Sequence, residues 1–338
     1  MRKIYLSAFI LFVIFFFSCG NLQREPRFVN IRGVVFGTYY SVSYYCEKGI
    51  DYSESMDSIF EVINQSMSYY QPQSVISKIN RNETTRADDH FLTVLERSLE
   101  IAEETNGAFD PTISPLVNAW GFGFQERQNM TDARIDSLRN IVGYEKVSIS
   151  GDQVNKTIPE IQLDFNAIAK GYASDVAGSF LESKGIDIYM VEIGGDLIAK
   201  GFKPDGKPWR IGLERPASDM LSKQDWDYMV EMHDRAVATS GTTRKYYEEG
   251  GQRFSHTIDP QTGRPVAHNL LSVSVFADDC MTADAFATAF MVMGLEDSKE
   301  FLLSREDIQA FFIYAAGETG YGTYTTEGLK VIPRSELE

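Results

Sequence analysis

Apolar residues along the chain switch between two spacings, and the switches mark its elements. From Ile31 to Tyr45, β-branched and aromatic residues alternate loosely and predict a strand; Ile59, Val62, Ile63 and Met67 then recur at helical spacing. A second helix is predicted over FLTVLERSLEIAEET, with Phe91, Leu95, Leu99 and Ala102 on one face, Asp88 and Asp89 ahead of it, and Asn106-Gly107 as its stop. A third follows Thr131 and carries Ile135, Leu138 and Val142 up to Gly143. VSIS and IQLDF are strand-like, Ala167 to Lys184 is helical and closed by Gly185, and IYMVEI is a strand. After Gly194-Gly195 strands dominate: LIAKGF, WRIGLE, YMVEM and LLSVSVF, with the turn KPDGKP ahead of the second. The helix TADAFATAFMVMG follows, then a short one over Ser298 to Leu303, then AFFIYAA and two edge-like pieces rich in Gly, Tyr and Thr. No fixed repeat and no long Gly/Ser linker interrupts the pattern. The expectation is one unit of helices interleaved with mixed sheets; two lobes meeting near Gly194 are the alternative.

With 338 residues, 43% hydrophobic and 24% charged, the chain can bury one large core or two smaller ones, which excludes a disordered or low-complexity protein. Its 32 Lys+Arg against 48 Asp+Glu give a net charge of -16, a field that repels nucleic acid. The N-terminus changes the picture further. Arg2 and Lys3 precede the apolar run YLSAFILFVIFFF, too short for a membrane span but suited to a signal peptide over residues 1–18. The following FFSCG resembles the lipobox of bacterial lipoproteins, with Phe17 where a smaller residue is more common, so Cys19 is the expected lipidated N-terminus. A plain signal peptide with an incidental cysteine is the other reading. Residues 19–29 then form a polar tether and residues 30–338 the folded domain. The three cysteines, Cys19, Cys46 and Cys280, show no paired spacing, so neither a disulfide framework nor a thiolate zinc site is indicated.

Four segments carry candidate chemistry. In DDCMTADAFATAFMVMG, Asp284 and Thr288 lie one helical turn apart and offer a hard cation a carboxylate and a hydroxyl. Alternatively, Asp284 caps the helix and Thr288 bonds back within it. In LDFNAIAKGYASD, Asp164 ends a strand and Lys170 lies in the first turns of a helix whose free N–H groups suit a phosphate or ribityl chain; an ordinary cap with a solvated lysine is equally open. In GAFDPTISPLVNAWGFG, Pro111 and Pro115 stiffen a turn that Asp110 faces, and Phe109, Trp120 and Phe122 offer either a stacking surface or plain core. In FSHTIDPQTGRP, His256 and Asp259 stand three apart before a turn, as proton-transfer groups or as structural hydrogen-bonders. His90, His233 and His268 have no ligand-like spacing, and Gly194-Gly195-Asp196 is a bend able to pass close to a ligand. No GxGxxG or Walker sequence occurs, so the usual dinucleotide and P-loop folds are unsupported.

The order of the segments is more specific than any one of them. FGTYYS, MSYYQPQSVISKIN, TNGAFDPTISPLVNAWGFG, LDFNAIAKGYASD, VEIGGDLIAKG, AVATSGTTRKYY, SHTIDPQTGRP and ADAFATAFMVMG together resemble the ApbE family of FAD:protein FMN transferases, from about Ile31 to Gly294. The resemblance implies an α+β, mixed-sheet, T-fold-like domain. It further implies a membrane-anchored lipoprotein facing the periplasm that cleaves FAD and attaches FMN through a phosphoester to a Thr or Ser of a partner, releasing AMP. Carried onto this sequence, it places Mg²⁺ on Asp284, Thr288 and the carbonyl of Ala167. The flavin would lie against Phe36, Tyr70, Ala108, Phe109, Asp110, Asp164 and Lys170, with Phe36 where the family often has methionine. The implied acceptor is a flavoprotein subunit of a membrane redox complex. Such a reaction needs charge neutralised on the diphosphate and a proton acceptor for the hydroxyl, and His256 and Asp259 are the candidates for the latter. A hydrolase giving free FMN and AMP, and a lipoprotein that only holds FAD, remain as alternatives.

Overall fold

The stretch from Ile31 to Tyr45, expected as one strand, folds back on itself. Phe36 and Gly37 both adopt left-handed backbone, at φ 51° and 75°, and form a two-residue turn between strands Arg27–Val35 and Thr38–Cys46, paired from Val35↔Thr38 to Arg27↔Cys46. Alternation runs unbroken through such a turn, and Phe at its first position conceals it from a search for Asn-Gly or Gly-Gly. Strand structure thus begins at Arg27, slightly ahead of the expected Asn30. The structure is a computed structural model that describes residues 26–123, 126–214, 226–241, 246–249, 252–317 and 320–337. The predicted signal peptide, Cys19, the first part of the tether and residues 242–245 of the AVATSGTTRKYY segment lie outside the described residues.

The hairpin starts an eight-stranded sheet that continues through Tyr189–Ile193, Asp196–Lys200, Arg235–Gly241, Leu270–Ala277, Gln309–Ala316 and Gly320–Thr325. Its ladders are antiparallel. Gly194 and Gly195, both at positive φ, make the tight turn that joins Ile193 to Asp196 within this one sheet, so the alternative of two lobes divided near Gly194 does not hold. Helices cover one face of the sheet, and a three-stranded sheet of Trp209–Glu214, Trp226–Met232 and Val331–Pro333 covers the other. The division follows from the two-residue period of a strand. Val237, Phe276 and Phe311 pack toward Trp209, Ile211 and Val230 of the small sheet, whereas Ala238, Val275 and Phe312 pack among the helices. LLSVSVF is accordingly buried on both faces. The α+β class is as expected.

The helices start where the sequence places caps. The side chain of Asp88 accepts from Phe91 N at 2.8 Å ahead of the helix Asp89–Glu104, and that of Thr131 accepts from Arg134 N at 3.3 Å ahead of Asp132–Arg139. The last two predicted helices abut as Cys280–Leu302, broken at Gly294, whose φ of 78° and ψ of −179° are not helical. Val75–Asn80 and Ser114–Ala119 are helices too short for a periodicity to reveal. IQLDF, expected as a strand, joins no ladder among the described residues. Its backbone is satisfied otherwise: the Asn80 side chain donates to Leu163 O and accepts from Leu163 N, and Asp164 N donates to Pro111 O. That arrangement ties the 108–111 turn to the start of the helix Ala169–Ser183, and both border the cavity described below.

The helix Ala169–Ser183 crosses the N-terminus of Cys280–Leu302 at Gly171, where an added Cβ would stand 2.2 Å from Cys280 O and 2.8 Å from Met281 N. One turn on, the half-buried carboxylate of Asp175 accepts from Cys280 N and Met281 N, both at 2.8 Å. Intrinsic helix propensity makes Ala the better residue by about 1 kcal/mol, yet overpacking a crossing costs about 1–3 kcal/mol. Gly171→Ala is therefore expected to lose about 1 kcal/mol of stability in urea denaturation, the clash outweighing the propensity; a variant more stable than the parent would show that the two helices are free to separate.

Candidate active site

Between the large sheet, the small sheet and the helices lies a cavity of about 1120 Å³. Among its lining residues are Phe36, Tyr70, Ala108, Phe109, Asp110, Asp164, Ala167, Lys170, His256, Asp284 and Thr288. Residues spread over some 250 positions of sequence thus meet in one space. Of the residues named from the sequence, Cys19 lies outside the described residues and Asp259 is not part of the lining. Asp259 instead shapes the turn after His256: its carboxylate accepts from Gln261 N at 2.8 Å and its carbonyl from Gly263 N at 2.8 Å. The structure thus gives Asp259 a turn-forming place behind His256, outside the cavity lining that His256 joins.

The charged part of the cavity centres on Lys170. Its ammonium hydrogen-bonds to Asp196 Oδ2 and stands 3.6 Å from Asp284 Oδ2. Both carboxylates are buried, at 2% exposure for Asp196 and 4% for Asp284. Asp284 is not the helix cap. Asp279 is, accepting from Thr282 N at 2.7 Å, and this leaves Asp284 in the following turn to reach across to Gly171 N at 3.1 Å. The first N–H groups of the helix Ala169–Ser183, expected to be open to an anion, are thus largely engaged: Ala169 N and Tyr172 N donate to backbone carbonyls and Gly171 N donates to Asp284. The protein's own carboxylate fills the place expected for a ligand anion. Thr288, one turn beyond Asp284, borders the cavity with its hydroxyl 3.4 Å from Ser240 Oγ.

Aromatic surface supplies another part of the wall. Tyr70 is 65% exposed at the rim, its ring stacked on that of Tyr69 with centroids 4.6 Å apart and planes 23° from parallel. The Tyr69 hydroxyl accepts from Asn166 Nδ2, and Asn166 N donates to Asp164 Oδ1 at 2.8 Å, so the stack is linked to the helix entry. Phe36 meets Phe60 edge-on at 6.1 Å, and His256 lies 6.3 Å from Phe122. Asp110 has both oxygens engaged, one accepting from Thr112 N and Thr112 Oγ1 at 2.7 and 2.6 Å, the other from Tyr144 N at 3.0 Å. It holds the turn that presents Ala108 and Phe109.

Burial sets the electrostatics. It pushes the Asp164 and Asp110 carboxyls each up to about 6, opposed by their N–H and hydroxyl donors. Burial, then the charge of Asp196, pushes Asp284 up to about 7 against the pull of Lys170. Burial acts to lower Lys170, yet the charges of Asp196 and Asp284 together hold its ammonium above the usual lysine range. Asp196, Asp284 and Lys170 count as two negative charges against one positive in a low-dielectric pocket, a balance that a bound cation improves. Among the described residues no group of three or more His, Cys, Asp or Glu side chains is placed to hold a metal. Among the oxygen-bearing side chains that line the cavity, Asp284 and Thr288 stand one helical turn apart, and Ala167 borders the same space; a carboxylate, a hydroxyl and a backbone carbonyl are hard donors, the kind suited to a cation that fills its shell with water and phosphate oxygens. Ser240 and Tyr69 carry no signal of their own in the sequence, and Asp196 stands out there only as the last residue of the Gly194-Gly195-Asp196 bend.

The cavity joins stacked tyrosines to a buried cluster of charges, set between an antiparallel sheet and helices, in an α+β protein with room for a large ligand. Residues 36–312 match the profile of the ApbE family, and the chain belongs to that family. It is 41% identical over 286 residues to the FAD:protein FMN transferase of Vibrio cholerae, covering 82% of this chain and 85% of that protein. Among solved structures, the flavin transferase ApbE from Vibrio cholerae aligns with a TM-score of 0.79 at 37% identity, over 89% of this chain and 98% of the other. The apo flavinyl transferase ApbE of Pseudomonas stutzeri aligns with a TM-score of 0.79 at 33% identity, over 90% and 96%.

The raised Asp164 carboxyl fixes a pH dependence. The folded state holds its proton more tightly than the unfolded chain, so the stability this group contributes is full below the unfolded value of 3.8 and is lost as pH rises through about 6. Asp164→Asn keeps an acceptor for Asn166 N but cannot ionise. Urea unfolding at pH 4.5 and 7.5 is expected to show the variant gaining about 2 kcal/mol relative to the parent across that interval; parallel curves would mean that the carboxylate is solvated in the native protein.

Proposed function

We propose that this protein is an FAD:protein FMN transferase that works with Mg²⁺. The observation that carries the reading is the meeting of Lys170, Asp284, Thr288 and Ala167 with the Tyr69–Tyr70 stack in one cavity, in a chain of the ApbE family. In this reading the flavin ring lies against Tyr70 and the turn 108–110, and the diphosphate lies toward Lys170. A hydroxyl of a Thr or Ser on the acceptor protein attacks the phosphorus of the FMN half. A new phosphoester bond forms, the bond from that phosphorus to the bridging oxygen breaks, and AMP departs with the bridging oxygen.

The chain's residues divide the remaining work. Lys170 presents a fixed positive charge to the phosphoryl oxygens, where charge grows in the transition state. His256, within the same cavity, accepts the proton of the attacking hydroxyl. Asp259 acts only by holding the turn behind it. Mg²⁺ on Asp284, Thr288 and the Ala167 carbonyl supplies Lewis-acid neutralisation of the diphosphate. A chain of net charge -16 needs that neutralisation to admit an anionic substrate. The N-terminal segment fits the same picture: residues 1–18 direct export, lipid on Cys19 anchors the domain at the periplasmic face of a bacterial membrane, and residues 19–29 tether it. The acceptor is then a flavoprotein subunit of a membrane redox complex, and a shared surface raises its effective concentration.

Mass spectrometry of the protein from Asn21 onward, incubated with FAD, Mg²⁺ and a domain carrying an acceptor Thr, tests the reading. The expected result is one added FMN on the acceptor, abolished by EDTA and by Asp284→Ala, and slowed about 100-fold or more by His256→Ala. Free FMN and AMP beside an acceptor that a known transferase does modify would make the protein a hydrolase. Intact FAD would leave it a binder.

A further inference from the structure

We propose that Asp196 is a positioning residue that keeps the Lys170 ammonium from closing on Asp284, so that the Asp284 carboxylate stays open to a divalent cation. The proposal rests on the reading of Asp284, Thr288 and Ala167 as the cation site. It arises from the competition built into the cluster: a lysine and a divalent cation seek the same buried oxygens, and the lysine is permanently present.

The backbone leaves little freedom in where these groups stand. Gly171 N binds Asp284 Oδ2 at 3.1 Å, so the peptide next to Lys170 holds the very carboxylate that the lysine could neutralise. Lys170 Nζ is 3.6 Å from that oxygen, beyond a hydrogen bond but close enough to reach one by turning its flexible stem. What draws the ammonium aside is Asp196, which hydrogen-bonds it through Oδ2. Asp196 is itself fixed. It follows the Gly194-Gly195 turn, pairs with Ile193 across the hairpin, and its Oδ1 accepts from Thr239 N at 3.4 Å on the neighbouring strand. Its side chain is 3% exposed, so Asp196 takes its positive partner from the protein rather than from solvent, while Lys170, at 31%, keeps one side toward the cavity. Remove its charge and the carboxylate nearest the ammonium is Asp284.

A double-mutant cycle on cation binding tests this without turnover. Mn²⁺ binding to the full chain in detergent is measured by electron paramagnetic resonance, with no FAD present, for the parent, Asp196→Asn, Lys170→Met and the double variant; Asp284→Ala marks the site. Asp196→Asn is expected to weaken Mn²⁺ binding about tenfold or more, and adding Lys170→Met to restore it. Lys170→Met alone, where the lysine is already held aside, is expected to tighten binding much less than it does in the Asp196→Asn background. If the Asn variant does not fold, Asp196→Ser takes its place in the cycle. Additive effects, as two independent charges would give, or parental affinity in Asp196→Asn would overturn the proposal while leaving the cation site standing. Mn²⁺ binding that survives Asp284→Ala would overturn the cation site itself, and the proposal with it.

Discussion

Lys170 held between Asp196 and Asp284 is the contact on which the rest of the site depends. Its three residues come from a helix, a strand of the large sheet and a second helix, and the pair distances fix how those elements meet. Burying two carboxylates and one ammonium is costly, and breaking such a group by removing one partner costs about 3–5 kcal/mol. Structure around the cluster is arranged to hold it. Gly171 carries no side chain, so the two helices approach closely enough for its N–H to reach Asp284; Asp279 takes the cap, so Asp284 does not have to; Asp175 takes the remaining end groups of the same helix.

The cluster also explains why the charges sit at this depth. The large sheet is closed by helices on one side and by the small sheet on the other, and strands such as Leu270–Ala277 are buried on both faces. Several of the cavity's polar groups sit at strand ends and helix starts, where backbone groups are left to satisfy them. Asp196 at a hairpin turn, Asp164 and Asn166 ahead of a helix, and Ser240 near the end of its strand all occupy such places. The cavity collects these ends, which is how residues far apart in sequence meet.

Much of this was legible in the sequence where local rules act alone. Asp88 and Thr131 cap the helices they precede, and the four-residue spacing of Asp284 and Thr288 puts both on the cavity wall. What was illegible depended on partners distant in sequence. IQLDF has the composition of a strand, yet Asn80 and Pro111 take its hydrogen bonds before any strand can. The first hairpin hides because a phenylalanine occupies a left-handed turn position. Asp259 sat at a suggestive spacing from His256, but an aspartate before a Pro-Gln-Thr-Gly turn is consumed by that turn. Asp196 was seen only as part of a bend, since nothing local tells that its carboxylate faces a lysine 26 positions earlier in the chain.

On the proposed function, the net negative, buried cluster makes FAD binding depend on a divalent cation. Titration of FAD fluorescence against the protein in Mg²⁺ and in EDTA reads this directly, before any acceptor is added. Tight quenching in Mg²⁺ that weakens at least tenfold in EDTA, with the dependence lost in Asp284→Ala, is the result that a cation-bridged diphosphate requires. Equal affinity in both media would contradict it and leave the protein's own cations, Lys170 and Arg210 among them, to balance the diphosphate.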